Sequence, residues 1–139
     1  MLNPSPMDES VFQLPLHAVD IFLLNRAEAE ALSGESEVER MLDALSERYP
    51  RASLVLTLGD GGVRFAWGGQ RIEVPAEPVS AHDTTGAGDT FAGYFLAERY
   101  AGVEAEPALR MACRAAAVCV TRSGAAASIP RRSELTLGQ

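Results

Sequence analysis

Residues 82–95, HDTTGAGDTFAGYF, place two aspartates and a Gly-Ala-Gly immediately before an apolar run with helix-like spacing. Glycines at the start of a helix let the backbone approach a ligand closely, and the first amide N–H groups of the helix point toward that ligand. The helix dipole adds partial positive charge at the same end. The segment therefore predicts a helix over residues 87–100 whose first turn is suited to stabilising an anion.

A purely structural interpretation of this segment is equally open. Asp83 or a threonine would then cap the helix, the glycines would form the turn, and Asp89 would complement the helix dipole. In the functional interpretation, the backbone of Gly86, Ala87 and Gly88 holds an anion that develops during a reaction. Asp89 then orients a substrate hydroxyl and takes its proton during phosphoryl transfer.

The rest of the chain predicts a layered α/β fold. VDIFLL at 19–24 and SLVLTLG at 53–59 are continuous apolar runs, the pattern of strands that are buried on both faces. VRFAW at 63–67 and RIEVP at 71–75 alternate in polarity and predict a hairpin with one solvated face. Further helices are expected over residues 26–34, 36–48 and 104–121, and a helical turn is expected in the tail. This order of elements indicates an α/β architecture with buried parallel strands.

Two polar motifs follow the predicted buried strands. Asn25 and Glu28 have the spacing of a capping box, and on local physics alone the helix cap is the favoured interpretation. The functional alternative puts both side chains at the carboxyl end of a strand, where α/β folds bind ligands, and lets Glu28 hold Mg²⁺ through water. Thr57 and Gly59 end the next strand and suit contact with a phosphate or ribose, although TLGDGG at 57–62 is equally consistent with a simple turn.

A third polar segment, TRSGAAAS at 121–128, follows the last long predicted helix. Its backbone carbonyls suit coordination of a cation or the framing of an adenine, although a simple loop is the favoured interpretation. Cys113 and Cys119 lie six residues apart in that helix and so face different directions. We expect both to be reduced core residues rather than a disulfide or a metal pair.

Composition narrows the possible chemistry. With 139 residues, a formal charge of -7 and 47% hydrophobic content, the chain has the profile of one globular domain. Its acidic balance argues against a nucleic-acid partner. All 12 basic residues are arginines, which excludes a Schiff-base lysine and a Walker lysine. We see neither a membrane-length apolar run nor a signal peptide, so we expect a cytoplasmic protein without a membrane partner.

The motifs in their order resemble the ribokinase (PfkB) family of carbohydrate and nucleoside kinases. They are LNPSP (2–6), VDIFLLNRAEAEALSG (19–34), TLGDGGV (57–63), DTTGAGDTFAGYF (83–95) and VTRSGAAASIP (120–130). The resemblance implies a ribokinase-like three-layer α/β/α sandwich. Residues 1–139 would be its C-terminal, nucleotide-binding and catalytic portion, without the N-terminal strands and the β lid. The implied activity is ATP-dependent phosphorylation of a sugar hydroxyl, with a pentose favoured, and the implied cofactors are ATP, Mg²⁺ and, for some members, K⁺.

The resemblance also assigns roles by motif position. Asp89 corresponds to the catalytic base, and Gly86, Ala87 and Gly88 correspond to the anion hole. The positions implied to bind ATP or to organise its Mg²⁺ are Asn25, Glu28 (through water), Thr57, Gly59, Asp60, Gly88, Ala112 and Cys113. The positions implied to form a K⁺ loop, mostly through backbone oxygens, are Asp83, Thr85, Cys119, Arg122, Gly124 and Ser128.

The chain departs from the family pattern in length. Family members are much longer, and their N-terminal half supplies most of the sugar contacts. We therefore expect a sugar or related alcohol and ATP as small-molecule partners, and a homodimer or the missing N-terminal half as a protein partner. The alternative is a truncated, non-catalytic nucleotide-binding remnant that needs the missing sugar-binding half.

Overall fold

A computed structural model of the chain describes residues 1–136 and divides the chain into two compact units. The first unit comprises Met1–Leu58 and Val63–Glu73, and the second comprises Gly59–Gly62 and Val74–Gln139, the last three residues of which lie outside the described part. The strands are β1 (Ile21–Asn25), β2 (Ser53–Thr57), β3 (Val63–Trp67) and β4 (Gln70–Val74). The helices are α1 (Arg26–Ser33), α2 (Val38–Arg48), α3 (Ala87–Tyr100), α4 (Ala105–Val120) and α5 (Arg132–Thr136).

The four strands form one mixed sheet in the order β1-β2-β3-β4. β1 and β2 are parallel because two helices, α1 and α2, return the chain to the same end of the sheet. β2 and β3 are antiparallel. Gly68 and Gly69 join β3 to β4 with φ values of +55° and +83°, which suits the two-residue hairpin turn that needs positive φ at both positions. The predicted hairpin is therefore present. Among the four strands only β1 and β2 pair in parallel, and Leu2 adds an isolated parallel bridge to Phe22 of β1.

The core of the first unit lies between the sheet and the helices α1 and α2. Phe22, Leu24, Leu54 and Leu56 are at most 2% exposed and belong to the same apolar cluster as the helical residues. The buried helical positions of that cluster are Ala29, Leu32, Met41, Leu42 and Leu45. Met41, Leu42 and Leu45 have helical spacing and therefore form the buried face of α2.

The second unit is built on the packing of α3 against α4. Small residues on α4, including Ala108, Ala112 and Ala115, are fully buried and allow the two helices to approach closely. The predicted helical turn of the tail is α5, whose Leu135 is 1% exposed. The Tyr94 hydroxyl of α3 holds the segment before α5 by donating to the Pro130 carbonyl at 2.6 Å.

None of the helices within residues 1–136 is both long enough and apolar enough to cross a bilayer. The two cysteines of α4, Cys113 and Cys119, are buried free thiols, as their spacing predicts.

Candidate functional site

Helix α3 begins at the glycine motif without a side-chain cap. Gly86 occupies the N-cap position with φ +79°, a left-handed conformation that glycine adopts without strain. The alternative in which Asp83 or a threonine caps α3 is therefore wrong. The carboxylate of Asp83 accepts instead from the Thr85 and Gly124 amides, and the glycine turn leaves the start of the helix open.

The first turn of α3 has backbone amides and a carboxylate that are available for hydrogen bonds. The Ala87 amide donates to the Thr84 carbonyl at 3.2 Å, so this amide is already used within the turn. The amides of Gly88 and Asp89 have no recorded acceptor among residues 1–136, as expected for the first turn of a helix. Asp89 itself is exposed. The turn thus combines free N–H groups, the positive end of a 14-residue helix and one accessible carboxylate.

Thr90 adds an unsatisfied hydroxyl directly after Asp89. Its side chain is 2% exposed, and its Oγ1 atom has no hydrogen-bond partner within the described part of the chain. A buried hydroxyl without a partner costs about 1–3 kcal/mol. Sequence reasoning did not single out this residue, because a threonine in the first turns of a helix is ordinary and its burial depends on packing.

The segment before α3 and the loop after α4 are joined through Asp83. Its Oδ1 accepts from the Thr85 amide at 2.9 Å, and its Oδ2 accepts from the Gly124 amide at 3.1 Å. Hydrogen bonds from Thr85, then from Gly124, lower the pKa of Asp83 to about 2. The amides of His82 and Asp83 both donate to the Val120 carbonyl, at 2.7 and 3.0 Å. Gly124, which is distant in sequence, therefore lies beside Asp83 and Thr85.

Cys119 and Ser128 extend the same cluster. Cys119 Sγ lies 3.1 Å from Ser128 Oγ and 3.9 Å from the Thr85 carbonyl oxygen. The guanidinium of Arg122 pairs with Glu134 at 2.7 Å. A guanidinium has no acceptor atom, so any contact of Arg122 with a cation would come from its backbone carbonyl. The oxygens offered by this cluster are carboxylate, carbonyl and hydroxyl groups, which is the donor set that hard cations prefer. The residues present therefore fit a K⁺ loop.

The second group of predicted residues belongs to the first unit. Asn25 and Glu28 form the predicted capping box: Asn25 Oδ1 accepts from the Glu28 amide and Glu28 Oε2 accepts from the Asn25 amide, each at 2.9 Å. In the parallel register of β1 and β2, Asn25 lies opposite Thr57. The Thr57 hydroxyl donates to the Leu24 carbonyl at 3.3 Å. These three residues meet at the carboxyl ends of the two strands, where α/β folds bind ligands.

The capping box leaves part of Glu28 for other contacts. The residue is 4% exposed, and only its Oε2 atom has a recorded partner among the described residues. Within residues 1–136 no three His, Cys, Asp or Glu side chains are grouped to hold a metal directly. A single carboxylate oxygen is compatible with Mg²⁺ held through water, because Mg²⁺ keeps several waters and takes few protein ligands.

The remaining predicted ATP contacts lie in the second unit. Gly59 and Asp60 are exposed in a 3-10 turn, Gly59–Gly61, and Gly59 has φ +57°. Ala112 and Cys113 lie on α4 and are 0% and 9% exposed. Burial, followed by the charge of Glu77, raises the pKa of Cys113 to about 11, so the thiol stays neutral near pH 7. Ala112 and Cys113 therefore contribute apolar packing rather than charge.

Comparison with known proteins identifies the family of the chain. The pfkB family carbohydrate kinase pattern matches residues 1–132. The ribokinase of Bacillus subtilis (strain 168) is 38% identical over 135 residues, which cover 97% of this chain and 44% of that protein. The chain thus spans less than half the length of this relative.

Solved structures give the same result. Arabidopsis thaliana ribokinase complexed with ribose and ATP is 30% identical with a TM-score of 0.81, and the match covers 88% of this chain and 41% of that one. A putative ribokinase II from E. coli in complex with ATP and Mg²⁺ is 28% identical with a TM-score of 0.82, covering 96% and 43%. The mixed sheet and its helices form part of an α/β ribokinase fold, and the chain belongs to the pfkB family of carbohydrate kinases.

Proposed function

We propose that this chain carries the ATP-binding and catalytic-base portion of an ATP-dependent sugar kinase that acts on a sugar hydroxyl, with a pentose favoured. The observation that carries the proposal is the start of α3, where free amides, the helix dipole and the exposed Asp89 occur within one turn. Family membership supplies the reaction class. A cytoplasmic location, where ATP is available, is part of the proposal.

In the proposed reaction, the Asp89 carboxylate accepts a hydrogen bond from the acceptor hydroxyl and orients its oxygen toward the γ-phosphorus of ATP. A bond forms between that oxygen and the phosphorus, and the bond from the phosphorus to the β–γ bridging oxygen breaks. The hydroxyl proton passes to Asp89, and ADP leaves with the bridging oxygen. The Gly88 amide and the neighbouring N–H groups of the first turn stabilise charge on the transferring phosphoryl group.

The remaining predicted residues have supporting roles. Mg²⁺ supplies neutralisation of phosphate charge, and we assign its water-mediated contact to Glu28. Asn25 keeps Glu28 in place through the capping box, and Thr57 is the neighbouring polar group on the next strand. The Asp83 cluster would hold K⁺ next to the turn that opens α3, which keeps the shape of the anion hole fixed. Any permanently charged side-chain cation that contacts the phosphates would be an arginine, because the chain has no lysine.

The catalytic proposal is tested by replacing Asp89 with its isosteric amide. ADP release with ribose as acceptor should fall about a hundredfold or more in Asp89→Asn, because general-base catalysis contributes roughly 10²–10⁴. Glu106→Gln is the matched control, since Glu106 is also an exposed acid in the first turn of a helix, α4. Unchanged kcat in Asp89→Asn would remove Asp89 from the role of base.

A second candidate function is nucleotide binding without catalysis. The observation that favours it is the match to only 44% of the ribokinase relative, which leaves the sugar contacts to another polypeptide segment or to a second copy of the chain. Titration calorimetry of the 139-residue chain with Mg·ATP, together with an assay of ADP release, separates nucleotide binding from catalysis. Binding that is lost in Gly88→Asp or Glu28→Ala, without ADP release in the presence of ribose, fructose or nucleosides, would support the binding role for this chain alone.

A further inference from the structure

The last turn of α4 carries a buried thiol that is hydrogen bonded to the loop following the helix. Cys119 and Ser128 are both 0% exposed, and their side-chain heteroatoms lie 3.1 Å apart. The Ser128 hydroxyl lies 2.6 Å from the Ala125 carbonyl oxygen and donates its only proton there. With the serine proton given to Ala125, the single thiol proton is shared between Ser128 Oγ at 3.1 Å and the Thr85 carbonyl oxygen at 3.9 Å, and the shorter contact with Ser128 is the favoured one. A short chain of hydrogen bonds thus runs from Cys119 through Ser128 to Ala125.

The same sulfur lies 3.9 Å from the carbonyl oxygen of Thr85, in the segment that leads into α3. Cys119 is thus placed between the two segments of the proposed cation loop. On the outer side of this cluster, Asp83 joins the same segments through its bond to the Gly124 amide. The contact between Asp83 and Gly124 is half-exposed and ionic in character, whereas the contact between Cys119 and Ser128 is fully buried and neutral.

We propose that the Cys119 thiol is a positioning residue for monovalent-cation binding. By donating to Ser128 it fixes the hydroxyl and, through that hydroxyl, the Ala125 carbonyl, so that loop oxygens keep the orientation that a K⁺ ion requires. The thiol is not itself a ligand. This inference rests on the K⁺ loop of the proposed function, and it adds a side-chain role to a residue for which only a backbone contact is implied.

The second cysteine of α4 provides a matched comparison. Cys113 is 9% exposed on the same helix, and its thiol has no hydrogen bond recorded among residues 1–136. Removing either sulfur leaves a similar cavity in the second unit. Only removal of Cys119 also leaves Ser128 without its donor, so a difference between the two variants reports the hydrogen bond and not the cavity.

The test measures K⁺ binding through thermal stability, without any need for activity. Unfolding midpoints of the 139-residue chain are recorded over a KCl titration at constant ionic strength, with tetramethylammonium chloride as the replacement salt. A ligand that binds only the folded state raises stability according to its concentration and dissociation constant. We expect Cys119→Ala to raise the apparent K⁺ dissociation constant about three- to tenfold, the effect of one lost hydrogen bond. Cys113→Ala should lower the unfolding midpoint but keep the K⁺ response. Cys119→Ser should recover part of the K⁺ affinity that Cys119→Ala loses.

The outcomes test the positioning role of Cys119 and the K⁺ loop separately. An equal K⁺ response in Cys119→Ala and Cys113→Ala would overturn the positioning role and leave the K⁺ loop intact. No K⁺ response in the unaltered chain would overturn the K⁺ loop and this inference with it, while the role of Asp89 would stand. If Cys119→Ala does not fold, Cys119→Val takes its place, since valine fills the space but offers no donor.

Discussion

Replacing Gly62 with alanine should destabilise the chain more than any other single methyl group added in its turn. Gly62 has φ +76°, and a Cβ atom built on it would lie 2.1 Å from the Val74 carbonyl oxygen and 2.7 Å from the Ala76 amide nitrogen. Ordinary contact distances are about 3.5 Å, so backbone atoms would have to move by more than about 1 Å. The left-handed conformation costs about 1–2 kcal/mol and overpacking about 1–3 kcal/mol more. We expect Gly62→Ala to lower the free energy of unfolding by about 2–5 kcal/mol.

The variant Gly59→Ala separates the cost of the left-handed conformation from the cost of overpacking. Gly59 lies in the same turn with φ +57°, but a Cβ atom there would have no neighbour within 4 Å. This variant should therefore lose only the conformational part, about 1–2 kcal/mol. Urea unfolding at 25 °C can be followed by the fluorescence of Trp67, the single tryptophan, which ends the strand that follows Gly62. The free energy follows from the midpoint and the slope of the transition.

The reasoning would be refuted by equal losses in the two variants, because the contact with the Val74 carbonyl would then contribute nothing. It would also be refuted if Gly62→Ala unfolded at the same urea concentration as the unaltered chain. In that case the turn would relax without cost, and the close approach of its backbone to β4 would not be a constraint on the sequence.

Two further predictions follow from the pKa values of Asp83 and Cys113. Because the folded state lowers the pKa of Asp83 from 3.8 to about 2, its stabilising contribution is complete above about pH 4 and is lost as the pH falls through about 2. In urea unfolding between pH 5 and 2, the free energy of unfolding should therefore fall more steeply with decreasing pH in the unaltered chain than in Asp83→Asn. Parallel curves for the two chains would contradict this. The Cys113 thiol, with its pKa raised from 9.0 to about 11, should react with iodoacetamide at pH 8 at least about 100-fold more slowly in the folded chain than in urea. Mass spectrometry of the labelled peptide measures this, and equal labelling rates would show that burial does not control the thiol.

Local sequence patterns predicted most of the secondary structure. The apolar run at 19–24 contains the three fully buried residues of β1, and the predicted helix at 87–100 has the bounds of α3. The Asn25–Glu28 capping box was predicted from a spacing of three residues, and both of its hydrogen bonds are present. These features depend on neighbours a few residues apart, so the pattern of side chains is sufficient to identify them.

The hydrogen bonds of the site were less accessible to sequence reasoning. The sequence left open whether Asp83 caps α3, and the structure gives its two carboxylate oxygens to the amides of Thr85 and Gly124. The Ala87 amide was expected to be free for an anion, yet it donates to the Thr84 carbonyl. The Gly124 contact joins residues that are far apart in the chain, and the Ala87 contact depends on the turn that Gly86 adopts. No spacing rule predicts either.

The sequence by itself determined the family, the order of strands and helices, and which residues carry acid, amide or hydroxyl groups near a helix start or a strand end. Only the tertiary structure decided which of these groups meet. Packing of α3 against α4 brings the loop after α4 to the segment before α3, where Asp83 binds the Gly124 amide and Cys119 contacts Ser128. Packing also buries the Thr90 hydroxyl, which has no hydrogen-bond partner among residues 1–136. Burial and long-range hydrogen bonds arise from the whole fold, because they depend on where distant segments are placed rather than on the residues beside them.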